Sequence, residues 1–118
     1  MKYSVPMTDI RFVLHDVLEA EKVFQQIPEF SDTNRELIDQ VLEEAAKFNE
    51  QVLLPTNQIG DTEGVVFDKA TLSVTLPQCF KDAFRAYVDA GWLGLCGDPK
   101  YGGQGQPEGL GYVIKEMI

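Results

Sequence analysis

Residues 31–54, SDTNRELIDQVLEEAAKFNEQVLL, decide the fold class. Leu37, Val41, Ala45, Phe48 and Val52 recur at helical spacing, and Ile38, Leu42, Ala46 and Leu53 make a second apolar row beside them. Glu36, Asp39, Glu43, Lys47 and Glu50 fall on the opposite, wet side, with Glu43 and Lys47 at the favourable i, i+4 spacing. Ser31, Asp32 and Thr33 are candidate N-caps, and Thr33 with Glu36 matches a capping box. The spacing predicts a helix of about 20 residues, a rod of roughly 30 Å, that stops at Pro55.

Upstream, Met1 to Thr8 read as an extended lead, because Pro6 disfavours helix just before it. Ile10, Val13, Leu14, Val17, Leu18 and Phe24 then share one side of a helical wheel. Glu21 interrupts that stripe and Phe12 and Val23 lie opposite it, so a helix broken near Leu18 to Glu21 fits better than a straight one. Pro28 ends the segment.

Downstream, Pro55 to Gly64 is rich in turn formers and reads as a loop. Val65 to Phe67 and Leu72 to Leu76 are enriched in β-branched residues, and predict a short hairpin around 65–76. Pro77 suits the first turn of the next helix, whose expected buried stripe is Phe80, Ala83, Phe84, Tyr87 and Val88, closed by Gly91. Eight of the ten glycines lie between Gly91 and Gly111. The stretch Gly91 to Pro107 is therefore a tightly shaped loop held on a helical platform. A final apolar helix starts near Glu108 with Leu110, Val113, Ile114 and Met117, and reaches Ile118 without any stop signal, as a helix cut short would. Its apolar face, Leu110 to Ile118, is expected to drive self-association. The fold class is all-α, with that one short hairpin.

Composition narrows the function. The 118 residues suit one domain with a real core. A net charge of −9 argues against nucleic acid and against an anionic membrane surface. No apolar run is long enough for a signal peptide or a membrane span. Two cysteines, Cys79 and Cys96, are too few for a disulfide scaffold and lack zinc spacing, so a reducing cytoplasm is the expected compartment.

Few residues carry chemistry of their own. The Tyr101 to Gly105 loop could present N–H groups to an anion, but it lacks the dinucleotide fingerprint and the Gly-Lys-Ser/Thr of a P-loop. A loop packed against another part of the protein is the favoured reading. His15 is the only histidine and reads as a satisfied helix residue. Cys79 and Cys96 read as small packed residues, and Asn57, Asp61 and Glu63 as solvated turn residues rather than metal ligands. Trp92, the only tryptophan, is expected to anchor the loop to the core. No catalytic or metal site is assigned.

Several separated motifs nevertheless agree in order and spacing. They are Tyr3, Pro6, Asp9, Arg11, Phe12 and Leu14 in the lead, and Leu54, Pro55, Asn57, Gly60, Asp61 and Gly64 in the middle. Pro77, Phe80, Ala83, Tyr87, Gly91 and Trp92 follow, then Asp98, Pro99, Tyr101, Gly102, Gly103, Gln104, Gly105 and Pro107. On these residues nearly the whole chain resembles the N-terminal region of FAD-dependent acyl-CoA dehydrogenases. It is most similar to the longer subfamily with an extra N-terminal segment, which includes methylthiopropanoyl-CoA dehydrogenases. Asp68-Lys69-Ala70-Thr71 in place of a glycine turn, Gln78-Cys79 before Phe80 and Glu108-Gly109 after Pro107 depart from that pattern.

The resemblance implies an extension segment at 1–30 and a helical domain at 31–118, standing beside a β domain and a C-terminal helical domain. It implies an enzyme that oxidises an acyl-CoA thioester at its α,β carbons, reduces FAD and passes electrons to an electron-transfer flavoprotein. The glutamate base and nearly all flavin contacts of such enzymes belong to the later domains, so Glu108 and Glu116 take no such role. This chain alone is expected to be inactive and free of FAD, with Tyr101, Gly102, Gly103 and Gly105 shaping the substrate pocket. The competing expectation is a free-standing acidic helical module that binds another protein.

Overall fold

The structure, a computed structural model, describes residues 2–118 and is mostly helical. Helix α1 (Met7–Arg11) runs into a π-helical stretch, Phe12–Val17, in which the Leu18 N–H reaches back five residues to the Val13 carbonyl. The chain breaks at Glu19, a non-glycine residue at φ 48°, and resumes as α2 (Ala20–Gln25). The break expected from Glu21 in the apolar stripe is therefore present. A short 3₁₀ turn at Pro28–Phe30 leads to α3 (Arg35–Phe48).

Three expectations for the long helix are corrected. Its cap is Asn34, whose side-chain oxygen accepts from the Leu37 N–H at 2.8 Å. Thr33 is instead buried, with its hydroxyl 3.4 Å from Gln106 Oε1, so the capping box does not form. Nor does Pro55 stop the rod. A π turn at Asn49–Leu53 widens the register, and α4 (Leu54–Glu63) begins with Pro55 in its first turn, where the missing N–H costs nothing. The segment read as a loop is thus helix up to Gly64, a residue at φ 68°. Lys47 pairs with Glu44 at 2.9 Å instead of Glu43, which is taken by Arg11.

The hairpin forms as expected, β1 (Val66–Asp68) against β2 (Ser73–Thr75), antiparallel, with Phe67 opposite Val74. Its turn has no glycine, and Leu72 takes the left-handed conformation at φ 55°. Asp68 Oδ1 supports the turn by accepting from the Ala70 N–H at 2.8 Å. Helix α5 (Gln78–Asp89) follows, and Gly91 at φ 84° terminates it as expected. Helix α6 (Glu108–Met117) closes the described chain.

The core forms where α3 and α6 cross, with the N-terminal segment laid over α3. Ile38, Leu42 and Leu110 are its fully buried centre, each contributing roughly 1.5–3 kcal/mol of apolar burial. Polar contacts fasten the lead: the Val5 N–H donates to Glu50 at 2.7 Å, and the Tyr3 hydroxyl to the Met117 carbonyl at 3.1 Å. Leu110, Ile114 and Met117 are buried within the chain itself. Much of the face expected to drive self-association is therefore covered within the chain, while Val113 is half-buried and Ile118 is 67% exposed.

The expected stripe of α5 is not a core stripe. Ala83 alone is buried, Tyr87 packs on Phe48 at 6.0 Å between ring centroids, and Phe84 is 63% exposed. Helix α4 and the turn at Trp92–Gly94 lie against this helix, α4 through Gly60 against the Phe80 ring. The radius of gyration is 17.4 Å, where a compact chain of this length has about 13.5 Å. The accessible surface is 8230 Å², where a compact monomer of 13.2 kDa exposes about 6,400 Å². The excess, roughly 1,800 Å², lies in a slab of 57 × 36 × 17 Å that leaves large apolar side chains on its faces.

Candidate functional site

The glycine loop is built on the backbone of the segment before it. Asp98 caps the short turn Pro99–Tyr101, its side chain accepting from the Lys100 N–H at 2.9 Å. The N–H groups of Tyr101 and Gly103 donate to the Asp98 carbonyl, and that of Gly102 to Pro99. Those of Gln104, Gly105 and Gln106 donate to Gly94, Gly97 and Leu95. The Gln104 side chain adds a bond to the Gly91 carbonyl at 2.9 Å. Six consecutive N–H groups are thus spent inside the chain, and none remains to cradle an anion. The residues present do not fit a flavin pyrophosphate, and the reading of this loop as a packing element stands.

Of the residues expected to shape a substrate pocket, Gly103 packs against Gly97 and Gly105 approaches the Pro99 ring. Gly102, at φ 89°, faces open space, and Tyr101 is 81% exposed with Lys100 Nζ 5.5 Å from its ring centre. These four sit on the outside of the loop and its inner seam. Gln104 is the loop residue that lines a cavity, one of about 550 Å³ shared with Phe48, Val52 and Trp92. Trp92 does anchor the loop, with its ring 6.3 Å from that of Phe48.

His15 is satisfied, as expected. It is buried, and its Nε2 lies 2.6 Å from Asp39 Oδ1, which also faces Arg11 Nε at 3.5 Å. With Arg11 on Glu43 this forms a polar clasp between the N-terminal segment and α3. Both cysteines are free thiols. Cys96 donates to the Pro107 carbonyl at 3.4 Å, and burial, then the nearby Glu108 carboxylate, pushes its thiol pKa up. That is the opposite of an activated nucleophile. Among the described residues no group of acids, histidines or cysteines could hold a metal ion.

A further cavity lies elsewhere, in a region to which sequence reasoning assigned no site. An apolar groove of about 720 Å³ runs between the N-terminal helices and α6. Leu14, Ala20 and Phe24 line its inner side, with Ile10, Val13, Leu18, Val23 and Val113. Asp9 and Glu116 are its carboxylates. The lining has no hydroxyl, thiol, imidazole or amine side chain; apart from these two carboxylates it is apolar and suited to holding an apolar body. A signal was present in the sequence, where Val23 fell off the main stripe of the broken N-terminal helix.

No protein-family profile matches the chain. Two curated proteins are similar to it almost end to end. A 3-methylmercaptopropionyl-CoA dehydrogenase of Ruegeria pomeroyi is 30% identical over 118 residues, all of this chain and 20% of that protein. A broad-specificity linear acyl-CoA dehydrogenase of Mycobacterium tuberculosis is 31% identical over 116 residues, 98% of this chain and 19% of that protein. The chain spans about a fifth of the length of these relatives.

Proposed function

We propose that this chain, a relative of the acyl-CoA dehydrogenases over its full length, supplies the N-terminal helical part of such an enzyme. Its task there is structural: it closes one side of a larger assembly whose reacting groups lie outside these residues. The observation that carries this is the end-to-end match to a fifth of two acyl-CoA dehydrogenases. The surface excess supports it, since roughly 1,800 Å² beyond a compact monomer is what a missing partner would cover.

In this reading residues 1–30 are the extra N-terminal segment and 31–118 the helical domain, and the partners are the remaining domains. FAD is the cofactor of the whole enzyme, an acyl-CoA its substrate and an electron-transfer flavoprotein its electron acceptor. Tyr101, Gly102, Gly103 and Gly105 act on substrate only through the shape they give the loop. A cytoplasmic location suits two free thiols and described residues in which no helix is long and apolar enough to cross a membrane.

The test is complementation. The Ruegeria dehydrogenase would be produced without its matching fifth, with and without this chain, and assayed for flavin absorbance and thioester oxidation. The chain alone should show neither, and the combination should recover both. Failure to recover them, when the relative's own segment does, would remove this reading. The acidic interaction module would then stand in its place, since its exposed apolar side chains also need a cover.

A further inference from the structure

We propose that the groove between the N-terminal helices and α6 is a docking site for one basic amphipathic helix. Resting on the reading above, we assign that helix to the parent dehydrogenase's remaining chain, since four-fifths of the relatives' length lies outside these residues. Val13, Leu18 and Val23 are exposed along the groove and Val113 is half-buried within it, so its apolar lining is open to a partner. Asp9 and Glu116 flank this surface, both exposed, and neither carboxylate has a hydrogen-bond or ion-pair partner among the described residues.

Those two features select the occupant. An apolar stripe would fill the groove, and lysine or arginine beside it would meet the two free carboxylates. The same carboxylates oppose an anionic bilayer, a nucleic acid or a fatty carboxylate. Both walls are helical, and the only strands among the described residues, Val66–Asp68 and Ser73–Thr75, are not part of the lining. Strand addition therefore has no edge to use there, which leaves a helix laid in a groove.

The test uses three designed fluorescein-labelled helical peptides, read by anisotropy against this chain. One has a leucine stripe flanked by lysines, one the same stripe flanked by glutamates, and one the lysine composition scrambled to break the stripe. The lysine-flanked helix should bind at least tenfold tighter than the other two. The pair Asp9→Asn and Glu116→Gln should erase its advantage over the glutamate-flanked helix, and Asp9→Lys with Glu116→Lys should reverse it. Asp61→Lys with Glu63→Lys, equal in net charge, should leave the preference intact. Equal binding of the scrambled peptide, or equal loss in the Asp61 and Glu63 pair, would overturn the groove. A chain dimer in sedimentation that Val23→Asp dissociates would assign the groove to a second copy instead. In the complementation assembly, the Asp9 and Glu116 reversal should weaken association at least tenfold; unchanged association would overturn the assignment to the parent chain. Loss of peptide preference with activity still recovered would sink the groove and spare the dehydrogenase reading.

Discussion

Gly103 lies directly on the backbone of Gly97: a Cβ at position 103 would fall inside the Gly97 carbonyl group. The contact is the seam along which the glycine loop is laid back on the segment after Trp92, with the Gly105 N–H donating to the Gly97 carbonyl at 2.9 Å. Only backbone faces backbone there, so no flexible side chain can yield.

Gly103→Ala should therefore cost about 3 kcal/mol or more, as overpacking against a fixed backbone does. Gly102→Ala is the control, since that site is open and only its φ of 89° opposes a side chain, at about 1–2 kcal/mol. Thermal unfolding checks both. The Gly103 variant should melt well below the Gly102 variant, and equal melting temperatures would show that the seam does not hold the loop.

The helix cap gives a second case. Asn34→Ala should cost about 1 kcal/mol, because it removes the acceptor for the Leu37 N–H. Ser31→Ala and Asp32→Ala, which touch no α3 donor, should stay within about 0.5 kcal/mol. Urea unfolding of the three variants separates the caps, and a loss at Asp32 matching that at Asn34 would contradict this assignment.

That case also shows what the sequence can and cannot say. Ser31, Asp32, Thr33 and Asn34 all have capping chemistry, and what takes Thr33 out of the choice is Gln106, 73 residues away, whose Oε1 accepts from the Thr33 hydroxyl. The α3 rows were legible because Ile38, Leu42 and Ala46 keep a strict period, and so were the hairpin and the break at Glu19. The helix through Pro55 was not, because proline is tolerated in a first turn and a π turn supplies that start. For α5 the period of Phe80, Ala83 and Phe84 was read correctly, yet periodicity names an apolar face and not what covers it. The groove escaped for a related reason: it is made by residues about 100 positions apart, Val13 and Val113 among them.

Leu72 yields a prediction of opposite sign. It holds φ 55° at the hairpin turn while 77% exposed, so its side chain gains little burial in return for the strained backbone. Leu72→Gly should stabilise the fold by up to about 1 kcal/mol, and Leu72→Asn by less. A rise of roughly 3–5 °C in melting temperature is the expected outcome for glycine. A fall would mean that the leucine side chain contributes more through contact than the turn loses through strain.

Cys96 sets a pH-dependent expectation. Burial first, and the Glu108 carboxylate second, raise its thiol above the ordinary value of 9.0. The folded chain therefore favours the neutral thiol, and stability from this group is complete below the ordinary thiol range and declines as pH rises through the folded-state pKa. Alkylation by iodoacetamide, which follows the thiolate, should reach half its maximal rate at Cys96 only above pH 9.0. Cys79→Ala isolates the signal, and Glu108→Gln should move the midpoint downward by removing the neighbouring charge. Gly111→Ala should lower the melting temperature, because a Cβ there would stand 2.7 Å from the sulfur and force the Cys96 side chain to shift. Alkylation of Cys96 at neutral pH as fast as that of an unfolded cysteine would show that the thiol is not enclosed between the glycine loop and α6.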